Sequence, residues 1–447
     1  MPNALADLFN AANARFRDGR FHEALALYDE ALRLKPGQPR ILLNRGQALR
    51  KLDRLDEAAA ALADAAAREP EALEPLTALA EVLLQLRRPA ALVEAMQRAV
   101  ALRPDMAALH QSLGVAYRLD RRFDEAVAAF ETAVRLDPAI RRSHIGAARL
   151  MLGDYANGWR DFETRGFDAA FVHRFGDIPR WTGEQAIAGK TVLVHAEQGL
   201  GDTLMFSRYI PLMAAAGARV LFAPQKPLRR LMAQLPARIV DLNDADLSPD
   251  LTVRTMSLPL AHRTTLETIP NATPYLAADP ALVELWRTVV GGDGYRIGVA
   301  WQGSANAEQA GRSFDPAHLA PLAALPGVRL ISLQKDDPAN PPGRLAALGI
   351  ETLARELDAG ADAFVDTAAV MASLDLVITL DSAVAHLAGA LGRPTWIALS
   401  RHSEWRWLID RTDSPWNPAA RLWRQTTMDD WTPVFAAMRD ALAAARP

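Results

Sequence analysis

Four prolines, Pro36, Pro70, Pro104 and Pro138, stand 34 residues apart, and four alanines, Ala31, Ala65, Ala99 and Ala133, keep the same register. Other slots recur around them: Phe21 and Phe123, Tyr28 and Phe130, Ala24 with Ala58 and Ala126, and Gly46 with Gly114. A period of this length marks one supersecondary unit whose apolar face is buried only when neighbours stack on it. Proline lacks the N–H that continues a helix, so each period ends at its proline; the small residues let paired helices approach and the aromatics fill the gap to the next pair. A helical solenoid is expected over residues 1–165. A fifth unit is expected to cap it, because "GDYANGWRDFE" (153–163) echoes "RRFDEAVAAFE" (121–131) two residues out of step.

Over roughly residues 5 to 140 this pattern resembles the tetratricopeptide repeat. The resemblance implies a concave surface that holds an extended peptide or a partner helix. A rigid spacer or a self-association surface is the plainer reading of the same pattern, and the oligomeric state stays open.

After a linker (166–188) the pattern changes to short apolar runs alternating with helical stretches, the mark of parallel βαβ sheets. Strands are expected at 191–195, 218–223, 237–242 and 250–254, and, beyond a Pro- and Gly-containing stretch (270–294), at 295–301, 328–334, 374–381 and 394–400. The fold class is thus α plus α/β: the solenoid, then a first Rossmann-like half (189–277) and a second (278–447) ending in a helix that packs back across the junction. Ligands of open α/β sheets bind beyond the carboxyl ends of the strands, so a cleft between the halves is the expected site.

Composition narrows the classes. The chain has 447 residues, half of them hydrophobic, a net charge of −3 and no cysteine. That balance argues against disorder and against a basic nucleic-acid surface, and the missing thiols exclude disulfides, thiol catalysis and cysteine-held metal. The first residues lack a basic segment followed by an apolar one, and every long apolar run is broken by charge. A soluble, cytoplasmic protein without membrane insertion is expected.

Two stretches carry the chemistry. In "HAEQGLGDTLMF" (195–206), Gly199 and Gly201 satisfy neither the dinucleotide fingerprint nor a Walker loop. Asp202 reads either as the cap of a helix beginning near Thr203 or as a general base at a strand edge, with Glu197 the second candidate. Gln198, Gly199 and Gly201 then form an acceptor-side loop in which the glycines let an acceptor come close. In "TLDSAVAHLAGALG" (379–392), Asp381 ends a strand and the amides of Ser382, Ala383 and Val384 open a helix, an anion-binding arrangement; plain capping by Asp381 or Ser382 is the alternative. His386 lies one turn on, as a ligand contact or a structural residue. Arg312 with Ser313, and Lys335, follow strands of the second half as candidate phosphate cations. In "SEWRWLIDRTDSPW" (403–416), packing accounts for most of the tryptophans, while Trp405 and Arg406 are candidate sugar or anion contacts. "DAD" (244–246) imitates a metal-binding pair but lies in a polar turn away from the other motifs.

Together, "HAEQGLGDTLMFSRY", "GVAWQGS", "SLQK", "DTAAVMASLDLVITLDSAVAHLAGALGRP" and "WRWL" resemble the GT-B glycosyltransferase domains fused to tetratricopeptide repeats in bacteria, which are related to heptosyltransferases and, distantly, to O-linked N-acetylglucosamine transferases. The resemblance implies a GT-B fold, inverting transfer without metal or other cofactor, and a nucleotide-sugar donor on the second half. It adds Trp301, Gln302 and Gln334 to the donor contacts, puts the base at Asp202, and makes the repeats the holder of a protein acceptor. Flagellin, modified with a nonulosonic acid, is the acceptor in some such relatives. Here "QGSANAEQAGRS" is shorter than the family's segment and lacks its histidine, and "LSRHSEW" lacks its proline-bearing loop. An interaction scaffold without turnover, or transfer to a lipid or saccharide, are the rival readings.

Overall fold

The computed structural model describes residues 2–166, 169–303, 311–335 and 337–445. The chain divides into two compact units, Met1–Arg149 and Leu150–Pro447.

The first unit is built from helix pairs. Helices Phe21–Leu34, Leu55–Arg68, Pro89–Leu102 and Phe123–Leu136 repeat at the sequence period, as do Pro39–Lys51, Leu73–Gln85 and Ala107–Leu119. Each of the first set ends two residues before its proline, and the residue after the helix donates its N–H to the carbonyl of Ala31, Ala65, Ala99 or Ala133. The recurrent glycines are required by close approach: a Cβ on Gly46 would stand 2.6 Å from Leu62, and one on Gly114 2.6 Å from Phe130. A left-handed residue also repeats at the turn, at Gly19, Asp53, Arg87 and Arg121, although only the first is glycine.

The segment expected to cap the stack belongs to the second unit. Helix Tyr155–Phe162 is shorter than the repeat helices. Its aromatic face is buried: Trp159 packs edge-on against Trp405 at 5.1 Å, and Tyr155 accepts a hydrogen bond from the Trp416 indole at 2.9 Å.

The second unit holds two parallel sheets. The first contains β1 (Thr191–His195), β2 (Arg219–Ala223), β3 (Arg238–Ile239) and β4 (Leu251–Arg254) in the order β3-β2-β1-β4. The second contains β5 (Tyr295–Val299), β6 (Val328–Ser332), β7 (Ile350–Glu351), β8 (Leu376–Leu380), β9 (Thr395–Leu399) and β10 (Ala420–Arg424) in the order β10-β9-β8-β5-β6-β7. All pairings are parallel. Central strands such as β8 are buried on both faces, which is why they read as unbroken apolar runs. The final helix, Thr432–Ala445, packs Phe435 and Met438 into the core of the second sheet with Phe314 and Leu319, not across the junction between halves.

Among the described residues, no helix is long and apolar enough to cross a membrane.

Candidate active site at the sheet edges

Strand order reverses between β1 and β4 in one sheet and between β5 and β8 in the other. Such switch points are where open α/β sheets hold ligands, and the segments leaving β1 and β8 meet. Helix Leu200–Phe206 follows β1 and helix Ala383–Ala390 follows β8. A Cβ on Gly201 would stand 3.0 Å from His386 Cδ2 and 3.2 Å from Ala383 Cα. Gly201 therefore seats one helix start against the other, a close approach that a side chain there would disturb. Gln198 takes the left-handed conformation, with φ 61°, and its carbonyl accepts from the Gln225 side chain at 3.2 Å.

The first helix begins at Leu200, earlier than expected, so its cap is Gly199 and Asp202 stands in its first turn. Asp202 Oδ2 accepts the Gly199 N–H at 3.0 Å, and Oδ1 is bound by a guanidinium nitrogen of Arg406. Arg406 is buried, lies over the Trp405 ring at 4.4 Å, and binds Glu404 with its other terminal nitrogen. Glu404 in turn binds Arg312, whose second terminal nitrogen lies 3.4 Å from Asp381 Oδ2. Asp202, Arg406, Glu404, Arg312 and Asp381 thus form one chain of alternating charge across the two halves. Burial works against the charge on Arg406, and Asp202, Glu404 and Asp381 outweigh it, holding its pKa above the ordinary value. Burial likewise acts to raise Glu404, but Arg406 and Arg312 keep its carboxyl below the usual range. At Asp381 burial prevails over Arg312, and the carboxyl is pushed up.

Beside Asp381, Ser382 caps helix Ala383–Ala390 without a side-chain bond to it; its hydroxyl lies 3.2 Å from Thr379 Oγ1. Among the described residues no acceptor faces the N–H groups of Ala383 and Val384. His386 is buried, stacks on Trp407 with ring centroids 5.4 Å apart, and has no partner for Nδ1. Burial pushes its pKa well below the ordinary value, so the ring is neutral. A helix start with free amides, an orphaned imidazole nitrogen and a part-neutralised guanidinium pair is chemistry suited to a phosphate group.

Several expected residues are engaged in contacts within the fold. Glu197 is no free base: it is tied to Arg165 at 2.5 Å and Arg254 at 3.4 Å and accepts the Met256 N–H at 3.2 Å. Glu163 completes that network with both arginines at 3.0 Å and with the Ser257 hydroxyl at 2.7 Å. Trp301 is buried in the core and spends its indole N–H on Asp337 at 2.7 Å, so its ring is closed to a donor. Gln334 braces the loop by accepting the N–H groups of Trp301 and Gln302, and Ser313 Oγ accepts from Gly303 at 3.4 Å. Lys335 Nζ donates to the Asp358 carbonyl at 2.6 Å, so of the two expected phosphate cations Arg312 is the one within the charge chain. Trp405 lies in the aromatic cluster with Trp159, Phe206 and Trp416. In the "DAD" turn Asp246 pairs with Arg238 and Asp244 accepts the Asp241 N–H; among the described residues no group of three acidic or histidine side chains is disposed to hold a metal.

Sequence reasoning missed Glu404, although it sits two residues before Arg406, and missed Arg208. Arg208 is a buried strut between the halves that donates to Trp416 O at 2.6 Å, Asn417 Oδ1 at 3.0 Å and Tyr275 Oη at 3.1 Å. At the switch point of the first sheet a cavity of about 380 Å³ opens, lined by Glu163, Arg180, His195, Thr252 and Arg254 among others.

What the comparisons support for this chain is a glycosyltransferase with tetratricopeptide repeats. The tetratricopeptide repeat model matches residues 9–72 and 77–139, and the glycosyltransferase family 9 (heptosyltransferase) model matches residues 346–427. The latter span includes Asp381, His386 and Arg406 and excludes Asp202 and Arg312. Protein FlbA of Caulobacter vibrioides is 28% identical over 438 residues, which cover 89% of this chain and 72% of that protein. Among solved structures, MamA of Desulfovibrio magneticus RS-1 is 23% identical, covering 36% of this chain and 92% of its own, with a TM-score of 0.33. YrrB, described as a tetratricopeptide-repeat protein with an unusual peptide-binding site, is 21% identical over 35% of this chain and 82% of its own, also with a TM-score of 0.33.

Proposed function

We propose that the chain transfers a sugar from a nucleotide-sugar donor to a Ser or Thr hydroxyl of a protein, with inversion and without metal. The repeats of Met1–Arg149 capture the acceptor; the half from 189 to 277 presents it and the half from 278 to 447 holds the donor. The observation that carries this reading is the meeting of Asp202 with the charge chain beside the start of helix Ala383–Ala390. The donor phosphate accepts from the amides of Ala383 and Val384, with Arg312 and Arg406 as its cations. Asp202 takes the proton of the acceptor hydroxyl as its oxygen attacks the anomeric carbon, the bond from that carbon to the phosphate oxygen breaks, and the nucleotide leaves with the electron pair. A positioned base of this kind contributes about two to four orders of magnitude in rate.

For the acceptor, the first unit offers a cavity of about 470 Å³ lined by Asn10, Asn13, Tyr28, Asn44 and Gln47 with Phe16 and Arg17. Asn13 Oδ1 is already taken by the Tyr28 hydroxyl at 2.6 Å and the Asn44 amide at 2.7 Å. That leaves Asn13 Nδ2 to donate and Asn44 Oδ1 to accept, the complement of a peptide group. Flagellin as the acceptor and a nucleotide-activated nonulosonic acid as the donor are the specific substrates favoured by the resemblance of the motifs.

Intact mass of candidate acceptors after incubation with a panel of nucleotide sugars tests the reading. Asp202→Asn should keep donor binding and lose transfer; transfer undiminished in that variant refutes the base.

A further inference from the structure

Asp202 has both carboxylate oxygens engaged, one by its own helix cap and one by Arg406. The ion pair to Arg406 competes with a proton for Oδ1, so drawing Arg406 away would free that oxygen for the base role. The guanidinium is shared between Asp202 and Glu404, and Asp381 adds to the field that holds it charged. Its neighbour Trp407 stacks on His386, one turn into helix Ala383–Ala390, and Gly201, next to Asp202, abuts Ala383 at the start of that helix. Arg406 is therefore bound to the base, and its charge also acts on Asp381 and His386, which flank the place where the phosphate is read to bind.

We infer that Arg406 is a donor-operated latch on Asp202. The inference rests on the reading of that helix start as the phosphate site. Without donor, the guanidinium bridges Asp202 and Glu404 and occupies the oxygen that would take the proton. A bound phosphate group offers it a more highly charged partner, Arg406 turns to that partner, and Asp202 Oδ1 is released. Binding and release are then two sides of one coupling, and coupling is reciprocal: whatever removes the competition of Asp202 for Arg406 strengthens phosphate binding. Arg406 is a positioning residue for the base as well as a donor contact, and the order of events is donor first, acceptor second.

Inorganic pyrophosphate serves as the probe, titrated calorimetrically into the full chain and its variants. Asp202→Asn, which keeps the shape and removes the charge, should tighten pyrophosphate binding by about five-fold or more. Arg406→Gln should weaken it by about ten-fold, the loss of one charge-assisted contact. The decisive measurement is the double variant: in the Arg406→Gln background, Asp202→Asn should change affinity by less than about two-fold, because there is no latch left to free. An equal gain in both backgrounds would mean that Asp202 acts only through its charge, and would overturn the latch while leaving the phosphate site standing. No gain in Asp202→Asn overturns it as well. Absence of pyrophosphate binding in the unmodified chain overturns the phosphate site, and the latch with it. If Arg406→Gln does not fold, as judged by circular dichroism, Arg406→Lys takes its place; the compact ammonium lacks the planar fork whose two terminal nitrogens bind Asp202 and Glu404 separately, so the gain must again shrink.

Discussion

Gly389 lies in helix Ala383–Ala390, and a Cβ placed on it would meet the Asn417 side chain at 2.4 Å. Asn417 must then withdraw by about 1 Å to reach ordinary contact, which breaks the 3.0 Å bond it accepts from Arg208. The loss of a bond to a buried charge costs about 1.5–3 kcal/mol, and the overpacking about 1–3 kcal/mol. Alanine is the better helix former, which returns up to about 1 kcal/mol. The expected net cost of Gly389→Ala is about 3 kcal/mol, a fall in melting temperature of roughly 5 °C for a unit the size of Leu150–Pro447. Differential scanning calorimetry of the full chain reads it directly. Asn417→Ala alone removes the bond but not the space, so Gly389→Ala added on that background should cost less than about 1 kcal/mol more. If Gly389→Ala leaves the transition in place, or lowers it equally with and without Asn417, the strut does not hold the halves as described.

Other outcomes follow from the same geometry. Glu197→Ala takes one of two carboxylates from Arg165 and Arg254 and leaves them Glu163, so it should cost about 1.5–3 kcal/mol in urea unfolding, the loss of bonds to a buried charge. Acid should weaken the fold through His262, whose Nε2 is buried without a partner and whose pKa burial lowers to about 4. The unfolded chain binds that proton first, so stability is whole above about pH 6.5 and falls by about 3 kcal/mol as the pH drops to about 4. Buried His386 acts in the same direction, and His262→Phe should flatten the slope of stability against pH in part. Asn13→Ala and Asn44→Ala each remove half of the peptide complement in the first unit, and should weaken acceptor capture, measured by titration calorimetry, by about five-fold or more while sparing donor binding.

The repeats were legible because their signal is local and repeated: the same alanine carbonyl accepts the closing N–H of each long helix, and the same proline ends it. The left-handed turn between helices was not legible, because Asp53, Arg87 and Arg121 adopt it without being glycine. Among strands, the apolar runs gave the interior ones. β7, only two residues long, and β10, "ARLWR" with two arginines, lie at the edges of the second sheet, where pattern is weakest. Trp301 carried a usable signal that the motif obscured: Ile297, Val299 and Trp301 alternate along one strand face and share one core. The charge chain had no such signal. Arg406 and Asp202 are 204 residues apart, and no period or spacing joins residues at that distance.

The glycine-rich stretch itself shows where sequence reasoning stops. An acid beside a presumed phosphate site is puzzling from the sequence, because the two repel. In the fold, three carboxylates (Asp202, Glu404, Asp381) are interleaved with two guanidiniums (Arg312, Arg406), an excess of one negative charge if all are ionised. Burial pushes Asp381 toward its neutral form, which lessens that excess. A phosphate entering such a cluster finds both cations already engaged. On the proposed reading it binds by taking one from a carboxylate, and the carboxylate with an acceptor to serve is Asp202. The repulsion that made the acid look misplaced would then be the reason its activity and the donor's presence are linked.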